Sequence, residues 1–328
     1  MSDTYGHVVC SRLGGPEVLT VTEAELRRAG PGEARIRVQA AGVSWADGMM
    51  RRGSYPGQPK PPFTPGYDVV GVVDQCGPGV TELQPGQRVA ALTVRGGYAE
   101  YVYLPATEPV PIPSELDPHQ AVCLVLNYVT AYQMLRRTVS PAAGDCVLVH
   151  STAGGVGTAL LELARLEGVR VLGTASQSKH ELVSRLGGEP IDYRAVRFED
   201  EVRRLVPQGV RAAFDPIGGW HWLRSRRCVT RGGTVVAYGS QGAGKMADAA
   251  SFLVLLLWPG RRFSFYSITT AKRRHPDHFR EDLLTLCGLL TNGRIQPSIG
   301  SRLPWQAAAR AHQMLEQGSA QGKIVLTF

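Results

Sequence analysis

The sequence predicts an α/β protein in which a doubly wound parallel sheet is joined to a β-rich, barrel-like region. Two observations predict this class. Short β-branched runs with glycine and proline between them fill residues 1 to about 125, and strand-length and helix-length runs alternate from Ala121 onward. The length of 328 residues also exceeds what one hydrophobic core usually holds, so we expect two domains.

The first region contains four strand candidates. They are EARIRVQAAGV (33–43), DVVGVVDQCG (68–77), QRVAAL (87–92) and YAEYVYL (98–104). Turn-forming residues such as GPGV (77–80) separate them, and this spacing is typical of a compact antiparallel barrel.

The second region alternates strand candidates with segments of helical length. The strands are CVLVH (146–150), VRVLGTA (169–175), EPIDY (189–193), AAFDPIG (212–218) and GTVVAYG (233–239). Such alternation predicts βαβ units, and therefore a parallel sheet with helices on both faces.

A side-chain-poor turn lies between a strand and a helix in VLVHSTAGGVGTALLELARL (147–166). The dinucleotide fingerprint is GxGxxG, and here Thr152 stands at the first glycine, followed by Gly154 and Gly157. The turn predicts a pyrophosphate site at the N-terminus of the following helix, where the helix dipole favours an anion. The alternative is the ordinary packing of a strand against a helix.

The end of the next strand favours NADPH over NADH. A site for NAD usually places an acidic residue there to hold the ribose hydroxyls. This chain has Ser176 and Lys179 instead, and the first acid is Glu181. A hydroxyl and a cation suit a 2′-phosphate; the alternative for Lys179 is an exposed lysine at a helix start.

Composition excludes several function classes. The formal charge is +8, but lysine and arginine are spread along the chain, so we expect no nucleic-acid site. Six scattered cysteines without a CxxC pair indicate reduced thiols. The sequence has no apolar stretch long enough for a membrane helix and no secretory signal, so we expect a cytoplasmic protein.

Stretches along nearly the whole chain share one resemblance. They are AAGVSWADGMMRRGSYPG (40–57), PGQRV (85–89), GGYAEYV (96–102), NYVTAY (127–132), AGGVG (153–157), GTASQSKHE (173–181), IDYR (191–194), FDPIGG (214–219) and GKIVL (322–326). Together they resemble the medium-chain dehydrogenase/reductase superfamily, in its zinc-independent, quinone oxidoreductase-like branch. NYVTAY and GTASQSKHE are similar to the vesicle amine transport protein subgroup.

The resemblance implies a domain organisation. A GroES-like catalytic domain would span residues 1–125 and be completed by residues 269–328. A Rossmann cofactor-binding domain would span residues 126–268, and the active site would lie in the cleft.

The resemblance also implies cofactor contacts. The pyrophosphate would be held by Gly154, Gly155, Val156 and Gly157. The 2′-phosphate would be surrounded by Ser176, Lys179 and Tyr193, and the nicotinamide half would lie near Asn127, Thr130 and Gly239. Lys323 is a further candidate. For Tyr193 the alternative is an aromatic residue at a strand end with its hydroxyl in water.

The expected catalytic site contains no metal. Gly66-Tyr67-Asp68 stands where the zinc branch carries Gly-His-Glu, and no four cysteines cluster for a structural zinc. Without a Lewis acid we expect no alcohol dehydrogenation. In the quinone oxidoreductase-like family an Asn, an Asp and tyrosines line the nicotinamide pocket. Asp47 and Tyr55 match that pattern, and Ser44 replaces the Asn. The alternatives are a helix cap for Asp47 and packing for Ser44.

The sequence therefore predicts an NADPH-dependent reductase that delivers hydride to an α,β-unsaturated carbonyl or a quinone. The substrate would be small and hydrophobic, and the catalytic candidates are Tyr55, Asp47 and Ser44. The alternatives are one-electron quinone reduction, or a non-catalytic family member that binds lipid or RNA. The alternating aromatic run RFSFYSI (262–268) predicts a homodimer formed by pairing of edge strands.

Overall fold

A computed structural model describes residues 3–240, 245–257, 260 and 262–328. The strands are β1 (Thr4–Cys10), β2 (Leu19–Glu25), β3 (Glu33–Val43), β4 (Asp68–Cys76), β5 (Arg88–Leu92), β6 (Tyr101–Pro105), β7 (Val110–Pro111), β8 (Cys146–Val149), β9 (Arg170–Ala175), β10 (Glu189–Asp192), β11 (Val210–Asp215), β12 (Val229–Ala237), β13 (Arg262–Phe265), β14 (Ile299–Pro304) and β15 (Lys323–Thr327).

The helices are α1 (Trp45–Arg52), α2 (Pro118–Cys123), α3 (Val129–Tyr132), α4 (Gly155–Leu166), α5 (His180–Arg185), α6 (Phe198–Leu205), α7 (Trp220–Cys228), α8 (Lys245–Leu257), α9 (Ile268–Arg274), α10 (Pro276–Thr291) and α11 (Ala308–Glu316). Two π-helical turns, Leu124–Tyr128 and Gln133–Val139, flank α3.

The chain forms two compact units. One contains Met1–Leu126, Leu283–Gly293 and Pro297–Phe328, and the other contains Asn127–Asp282 and Arg294–Gln296. The first unit therefore includes both ends of the sequence. The second unit is one continuous segment plus three residues from a later part of the chain.

The first unit is built on a largely antiparallel sheet in the order β14-β15-β3-β4-β5-β7, with β6 also paired to β3. The C-terminal strand β15 pairs antiparallel with β3 and parallel with β14. Alternate residues of β3, including Ala34, Ile36 and Val38, are buried. This alternation is the pattern of a strand with one face on the core.

The second unit is built on a parallel sheet in the order β10-β9-β8-β11-β12-β13. The strand order reverses between β8 and β11, and ligands of such sheets bind at that point, outside the carboxyl ends of the strands. One core cluster of the sheet and its helices includes Leu148, Leu172, Phe198, Val202 and Val235. The predicted α/β class, a doubly wound parallel sheet joined to a β-rich region, is confirmed.

The aromatic strand predicted at 262–268 is shorter than expected. β13 ends at Phe265, and Ser267 is the N-cap of α9, where its hydroxyl accepts the Thr270 N–H at 3.4 Å. Serine at this position competes with strand continuation because its side chain satisfies a free N–H of the helix start.

Candidate functional site

The turn after β8 is held by Thr152 in place of a first glycine. Thr152 is buried, and its hydroxyl donates to the Val149 carbonyl oxygen at 2.7 Å. A β-carbon on Gly173 of the neighbouring strand β9 would lie 2.7 Å from the Thr152 side chain. Gly173 therefore provides the space that lets a threonine occupy the tight turn.

The two glycines of the fingerprint, Gly154 and Gly157, differ in how closely the rest of the chain packs around them. A β-carbon on Gly157 would overlap the carbonyl oxygen of Thr152 and lie 2.6 Å from that of Ser151, because α4 packs closely on the turn. Gly154, the N-cap of α4, has a φ of −84°, which any residue adopts. A β-carbon there would meet Ser151 O at 3.2 Å and no other described atom within 4 Å. Internal packing therefore excludes a β-carbon at 157, whereas at 154 it would cause a single tight contact.

Asn127 lies against the start of α4. A β-carbon on Gly155 would overlap the Asn127 Nδ2 atom, so the amide rests directly on the first helical residue. Asn127 is 6% exposed, and among the described residues its Oδ1 atom has no hydrogen-bond partner. A buried acceptor without a donor costs about 1–3 kcal/mol, so a ligand that donates to this oxygen would be favoured. The residue belongs to a π-helical turn, a feature that occurs often at functional sites.

The residues predicted around the 2′-phosphate follow two neighbouring strands. Ala175 of β9 pairs with Asp192 of β10, so Ser176 and Tyr193 are the next residues at the same edge of the sheet. Lys179 lies one helical turn after Ser176, and Tyr193 is 50% exposed. Burial lowers the pKa of Lys179, and the nearby positive charge of Arg194 lowers it further. This edge therefore brings two cations together.

The remaining predicted cofactor residues of this unit lie on three other elements. Thr130 is buried on α3, and Val156 is half-buried in the first turn of α4. Gly239 follows β12, where a β-carbon would lie 3.1 Å from Pro216 O, just beyond β11.

A buried polar network lies at the same edge, beside the turn. His150, the first residue after β8, lies 2.9 Å through Nδ1 from Thr174 Oγ1 and 3.0 Å through Nε2 from Ser225 Oγ. The Ser225 hydroxyl donates to Asp215 Oδ2 at 2.6 Å, and His221 Nδ1 lies 2.7 Å from the same oxygen. Burial lowers the pKa of His150 to about 3, so its imidazole is neutral.

His150, Asp215 and His221 form the one set of possible metal ligands among the described residues. Tetrahedral zinc with bonds of about 2.0–2.1 Å separates its ligand atoms by about 3.3 Å. Here His221 Nδ1 and Asp215 Oδ2 are only 2.7 Å apart, which is a hydrogen-bond distance, and the Ser225 hydroxyl bridges His150 and the same oxygen. The network therefore joins α7 to the ends of β8 and β11 through hydrogen bonds.

In the first unit, Asp47 is fully buried and surrounded by donors. Its Oδ2 atom accepts from the Ser44 N–H at 2.9 Å and the Ser44 hydroxyl at 2.6 Å, and Oδ1 accepts from the Gly66 N–H at 2.9 Å. The Tyr98 hydroxyl lies 3.3 Å from Oδ2. Burial raises the pKa of Asp47 to about 6, although the hydrogen bonds from Ser44 and Gly66 oppose that shift.

Ser44 and Asp47 together cap the N-terminus of α1. The Ser44 hydroxyl accepts the Asp47 N–H at 3.2 Å while the Asp47 side chain accepts the Ser44 N–H, which is a reciprocal capping box. These bonds give both residues a structural role, and a catalytic role for either stays a prediction.

Tyr55 lies in the turn after α1 and pairs with Tyr67. The two hydroxyl oxygens are 2.7 Å apart, and the rings meet edge to face with centroids 6.3 Å apart. Tyr67 is 4% exposed, whereas Tyr55 is half-buried. The pair joins a loop that follows α1 to the residue that precedes β4.

Lys323 and Asp68 form a buried ion pair at the start of β15 and β4. The Lys323 Nζ atom donates to both Asp68 oxygens, at 2.9 and 3.2 Å. Burial raises the pKa of Asp68, and the Lys323 charge opposes that shift. Lys323 was predicted as a cofactor contact; its ammonium group is bound to Asp68, and the cofactor role stays a prediction.

Two family profiles match the chain. The alcohol dehydrogenase GroES-like domain matches residues 30–114, and the zinc-binding dehydrogenase profile matches residues 186–326. The synaptic vesicle membrane protein VAT-1 homolog of Homo sapiens is 33% identical over 313 residues, which are 90% of this chain and 79% of that protein. The quinone oxidoreductase of Pongo abelii is 30% identical over 320 residues, covering 96% of this chain and 95% of that protein.

The chain belongs to the medium-chain dehydrogenase/reductase superfamily. Solved structures agree. Escherichia coli quinone oxidoreductase complexed with NADPH is similar with a TM-score of 0.90 and 25% identity, over 98% of this chain and 100% of that one. A probable oxidoreductase from Mycobacterium abscessus gives a TM-score of 0.85 and 29% identity, with full coverage of both chains. The resemblance predicted from the motifs is confirmed, and the chain is an oxidoreductase of this superfamily.

The predicted site residues of this medium-chain dehydrogenase/reductase fall into two groups. The cofactor candidates other than Lys323 belong to the second unit, and the catalytic candidates belong to the first. None of the helices that the structure describes is both long and apolar enough to cross a membrane.

Sequence reasoning missed two residues of interest. The sequence shows Tyr67 in place of a zinc ligand, but no local signal predicts the contact of its hydroxyl with Tyr55. Arg194 appeared in the matched piece IDYR, where its position one residue after the predicted Tyr193 was the available signal.

Proposed function

We propose that the chain is an NADPH-dependent oxidoreductase that delivers hydride, without zinc, to an electron-poor acceptor such as an α,β-unsaturated carbonyl or a quinone. The observation that carries this proposal is the turn before α4. A β-carbon on Gly154 would meet Ser151 O at 3.2 Å and no other described atom within 4 Å, and among the described residues the buried Asn127 oxygen, next to Gly155, has no donor.

The turn suits a pyrophosphate. Helix N-termini bind anions because their first N–H groups are unpaired and the helix dipole is positive there. No side chain of a described residue caps α4, which begins at Gly155. Gly154, Gly155, Val156 and Gly157 would hold the pyrophosphate, while Asn127, Thr130 and Gly239 would contact the nicotinamide half. Quinone oxidoreductase of Escherichia coli, a similar structure, is described as complexed with NADPH.

The cations at the end of β9 and β10 support NADPH over NADH. Lys179 and Arg194 repel each other, which contributes to the lowered pKa of Lys179. A 2′-phosphate near them would relieve that repulsion, and the hydroxyls of Ser176 and Tyr193 would add donors. An NAD ribose offers no such anion.

The donor set argues against a catalytic zinc. Of the three residues that stand where zinc relatives carry Gly-His-Glu, Tyr67 contacts a phenol and Asp68 is bound to Lys323. Zinc ligands in proteins are thiolates, imidazoles and carboxylates, and here the carboxylate already neutralises an ammonium group. We therefore infer that this segment is not a zinc site, although a profile named for zinc-binding dehydrogenases matches residues 186–326.

The proposed chemistry uses the phenol of Tyr55. Bound NADPH would supply the hydride, which adds to the β-carbon of an enone. The Tyr55 hydroxyl would donate a hydrogen bond to the developing enolate oxygen and lower the barrier. Tyr55 or water would then return the proton. Asp47 and Ser44 would act by fixing α1, the helix that precedes Tyr55.

We propose that the protein is a homodimer. β13 is the edge strand of the parallel sheet, with Phe265 52% exposed. α8, in the same unit, also exposes large apolar side chains, among them Met246 at 87% and Leu253 at 58%. A second copy that covers this edge would remove apolar surface and unpaired strand groups from water.

The test is NADPH oxidation, followed by absorbance, across a panel of enones, quinones and aldehydes. We expect turnover with enones or quinones and none with saturated aldehydes. Turnover of saturated aldehydes that chelators abolish would contradict the proposal. Quinone oxidoreductase relatives favour quinone as the second candidate acceptor, and superoxide formation during turnover would indicate one-electron reduction.

A further inference from the structure

We propose that Tyr67 is a positioning residue for the reaction and acts through Tyr55. In this proposal, which rests on the proposed function, the Tyr67 hydroxyl donates to Tyr55 and stabilises it as it releases its proton. Tyr67 is thus assigned a chemical role at a position where zinc relatives carry a metal ligand.

The geometry joins the two phenols directly. Their oxygens are 2.7 Å apart, within the usual distance of an O–H···O bond, and the rings meet at 73°. Tyr67 is almost fully buried and Tyr55 only half-buried. Tyr55 is therefore the member of the pair that has access to a molecule outside the unit.

The backbone around Tyr67 is held firmly. Its carbonyl oxygen accepts from the N–H groups of Thr93 and Val94, each at 3.0 Å. The preceding Gly66 donates its N–H to Asp47 and accepts from the Thr93 hydroxyl at 2.7 Å. The φ of Gly66 is +111°, and a β-carbon there would lie 2.5 Å from Tyr98 N. Tyr67 is therefore presented by a segment that cannot easily shift.

The direction of the bond decides what Tyr55 can do. One proton lies between the two oxygens, and either could be its donor. When Tyr67 donates it, the Tyr55 O–H remains able to donate to an enolate oxygen, and bonds in such a chain strengthen one another.

The proton balance of the step is simple. A hydride supplied by bound NADPH to the β-carbon would leave the electron pair of the former double bond on the enolate. The Tyr55 O–H bond breaks, its proton forms the new bond at the α-carbon, and the bonding electrons stay on the Tyr55 oxygen. Tyr67 then donates to a phenolate, and water restores the proton. A hydrogen bond to the charged form makes that form more stable, so Tyr67 makes Tyr55 the stronger acid.

Removal of the Tyr67 hydroxyl should leave the hydrogen bonds of the two neighbouring carboxylates, Asp47 and Asp68, in place. Asp47 holds Gly66 from α1, and Asp68, next in the chain, is paired with Lys323 of β15. A Tyr67→Phe substitution keeps the ring and removes one donor.

The experiment compares Tyr67→Phe, Tyr55→Phe and the double variant with Tyr101→Phe as the control. Tyr101 lies on β6 of the same unit and its ring packs against Tyr5. We expect Tyr67→Phe to lower kcat about tenfold with the acceptor KM and the NADPH Kd unchanged. The double variant should be no slower than Tyr55→Phe alone, because Tyr67 acts through Tyr55. Tyr101→Phe should have the same kcat, acceptor KM and NADPH Kd as the wild type.

Two outcomes separate this inference from the proposed function. If Tyr55→Phe is slow but Tyr67→Phe keeps full kcat, or if the two losses multiply, the inference is overturned and the reductase assignment stands. If Tyr55→Phe keeps full kcat, the proposed proton donor fails and this inference fails with it.

A measurement without turnover tests the same contact. In protein labelled with ¹³C at the tyrosine ζ-carbon, the Tyr55 signal is assigned by its loss in Tyr55→Phe. Its pKa should rise by about one to two units in Tyr67→Phe, since a hydrogen bond to the phenolate is lost. An unchanged pKa would overturn the inference even if no acceptor is found.

Discussion

The carboxylate of Asp47 joins the N-terminus of α1 to the Gly66 N–H, 2.9 Å from Oδ1. Its other oxygen accepts both the N–H and the hydroxyl of Ser44. One buried side chain therefore fixes the helix that precedes Tyr55 and the segment that presents Tyr67. All of these groups donate hydrogen bonds, and an ionised Asp side chain can only accept them.

Asp47→Asn should destabilise the protein by about 1–3 kcal/mol. Asparagine offers an NH₂ group that would face N–H and O–H donors in place of one acceptor oxygen. The free energy of unfolding, measured with denaturant at pH 7, checks the loss. Glu115→Gln, at an exposed position, is the matched control and should leave stability unchanged. If Asp47→Asn is as stable as the wild type, Asp47 is not the anchor described.

The raised pKa of Asp47 predicts that the stability of the fold depends on pH. The folded pKa of about 6 lies above the usual value, so the folded state holds the proton more tightly than the unfolded state does. The stability that this proton contributes is complete below about pH 4 and is lost as the pH rises through about 6. The stability difference between the wild type and Asp47→Asn should therefore narrow as the pH rises over that range. A difference that is constant from pH 4 to pH 7 would contradict the raised pKa.

Two glycine substitutions separate packing from binding at the turn before α4. Gly154→Ala places its β-carbon 3.2 Å from Ser151 O at an ordinary φ, so it should cost less than about 1 kcal/mol of stability. It should nevertheless weaken NADPH binding at least about tenfold, because the methyl group fills the expected pyrophosphate site.

Gly157→Ala is the contrasting control. Its β-carbon overlaps the Thr152 carbonyl oxygen, and backbone cannot move aside cheaply, so it should destabilise the fold by about 2 kcal/mol or more. Thermal melting gives the stabilities and calorimetry gives the dissociation constants. Tight NADPH binding by a well-folded Gly154→Ala variant would exclude this pyrophosphate site.

The sequence was sufficient for the fold class and the turn, because strand runs, glycines and a helix start are local signals. It was not sufficient for Tyr55 and Tyr67, since their contact depends on how a loop after α1 folds back on the start of β4. Thr152 shows the same limit. It departs from the glycine pattern, and the compensating Gly173 lies on another strand. The prediction of a strand over residues 262–268 was wrong beyond Phe265, because Ser267 caps the next helix.

Lys179 should determine the choice of nucleotide. NADPH is expected to bind at least about tenfold tighter than NADH, a difference of about 1.4 kcal/mol. Lys179→Ala should remove most of that preference by weakening NADPH while leaving NADH unchanged. Arg185→Ala, an exposed cation on α5 of the same unit, should keep the preference and controls for general charge. Equal dissociation constants for the two nucleotides in the wild type would defeat the assignment.

The purified protein should contain well under one Zn²⁺ per chain and keep its activity in chelator. Tyr67 and Asp68 have other partners where zinc relatives place ligands. Elemental analysis measures the metal, and His221→Ala locates any zinc that is bound to His150, Asp215 and His221 instead. Stoichiometric zinc that this variant retains, with activity lost on its removal, would refute the zinc-free mechanism.

Dimerisation should depend on the exposed edge of the second unit. Phe265 ends the edge strand β13 and is 52% exposed, so burial of the exposed half of this side chain against a second copy would contribute about 0.8–1.5 kcal/mol. Phe265→Glu would place a charge there and should shift the protein toward monomer in light scattering. Leu13→Glu, at a 45% exposed position, adds the same charge to the first unit instead and should leave the mass unchanged. A wild-type mass that stays near the 35.5 kDa of one chain at every concentration would rule the dimer out.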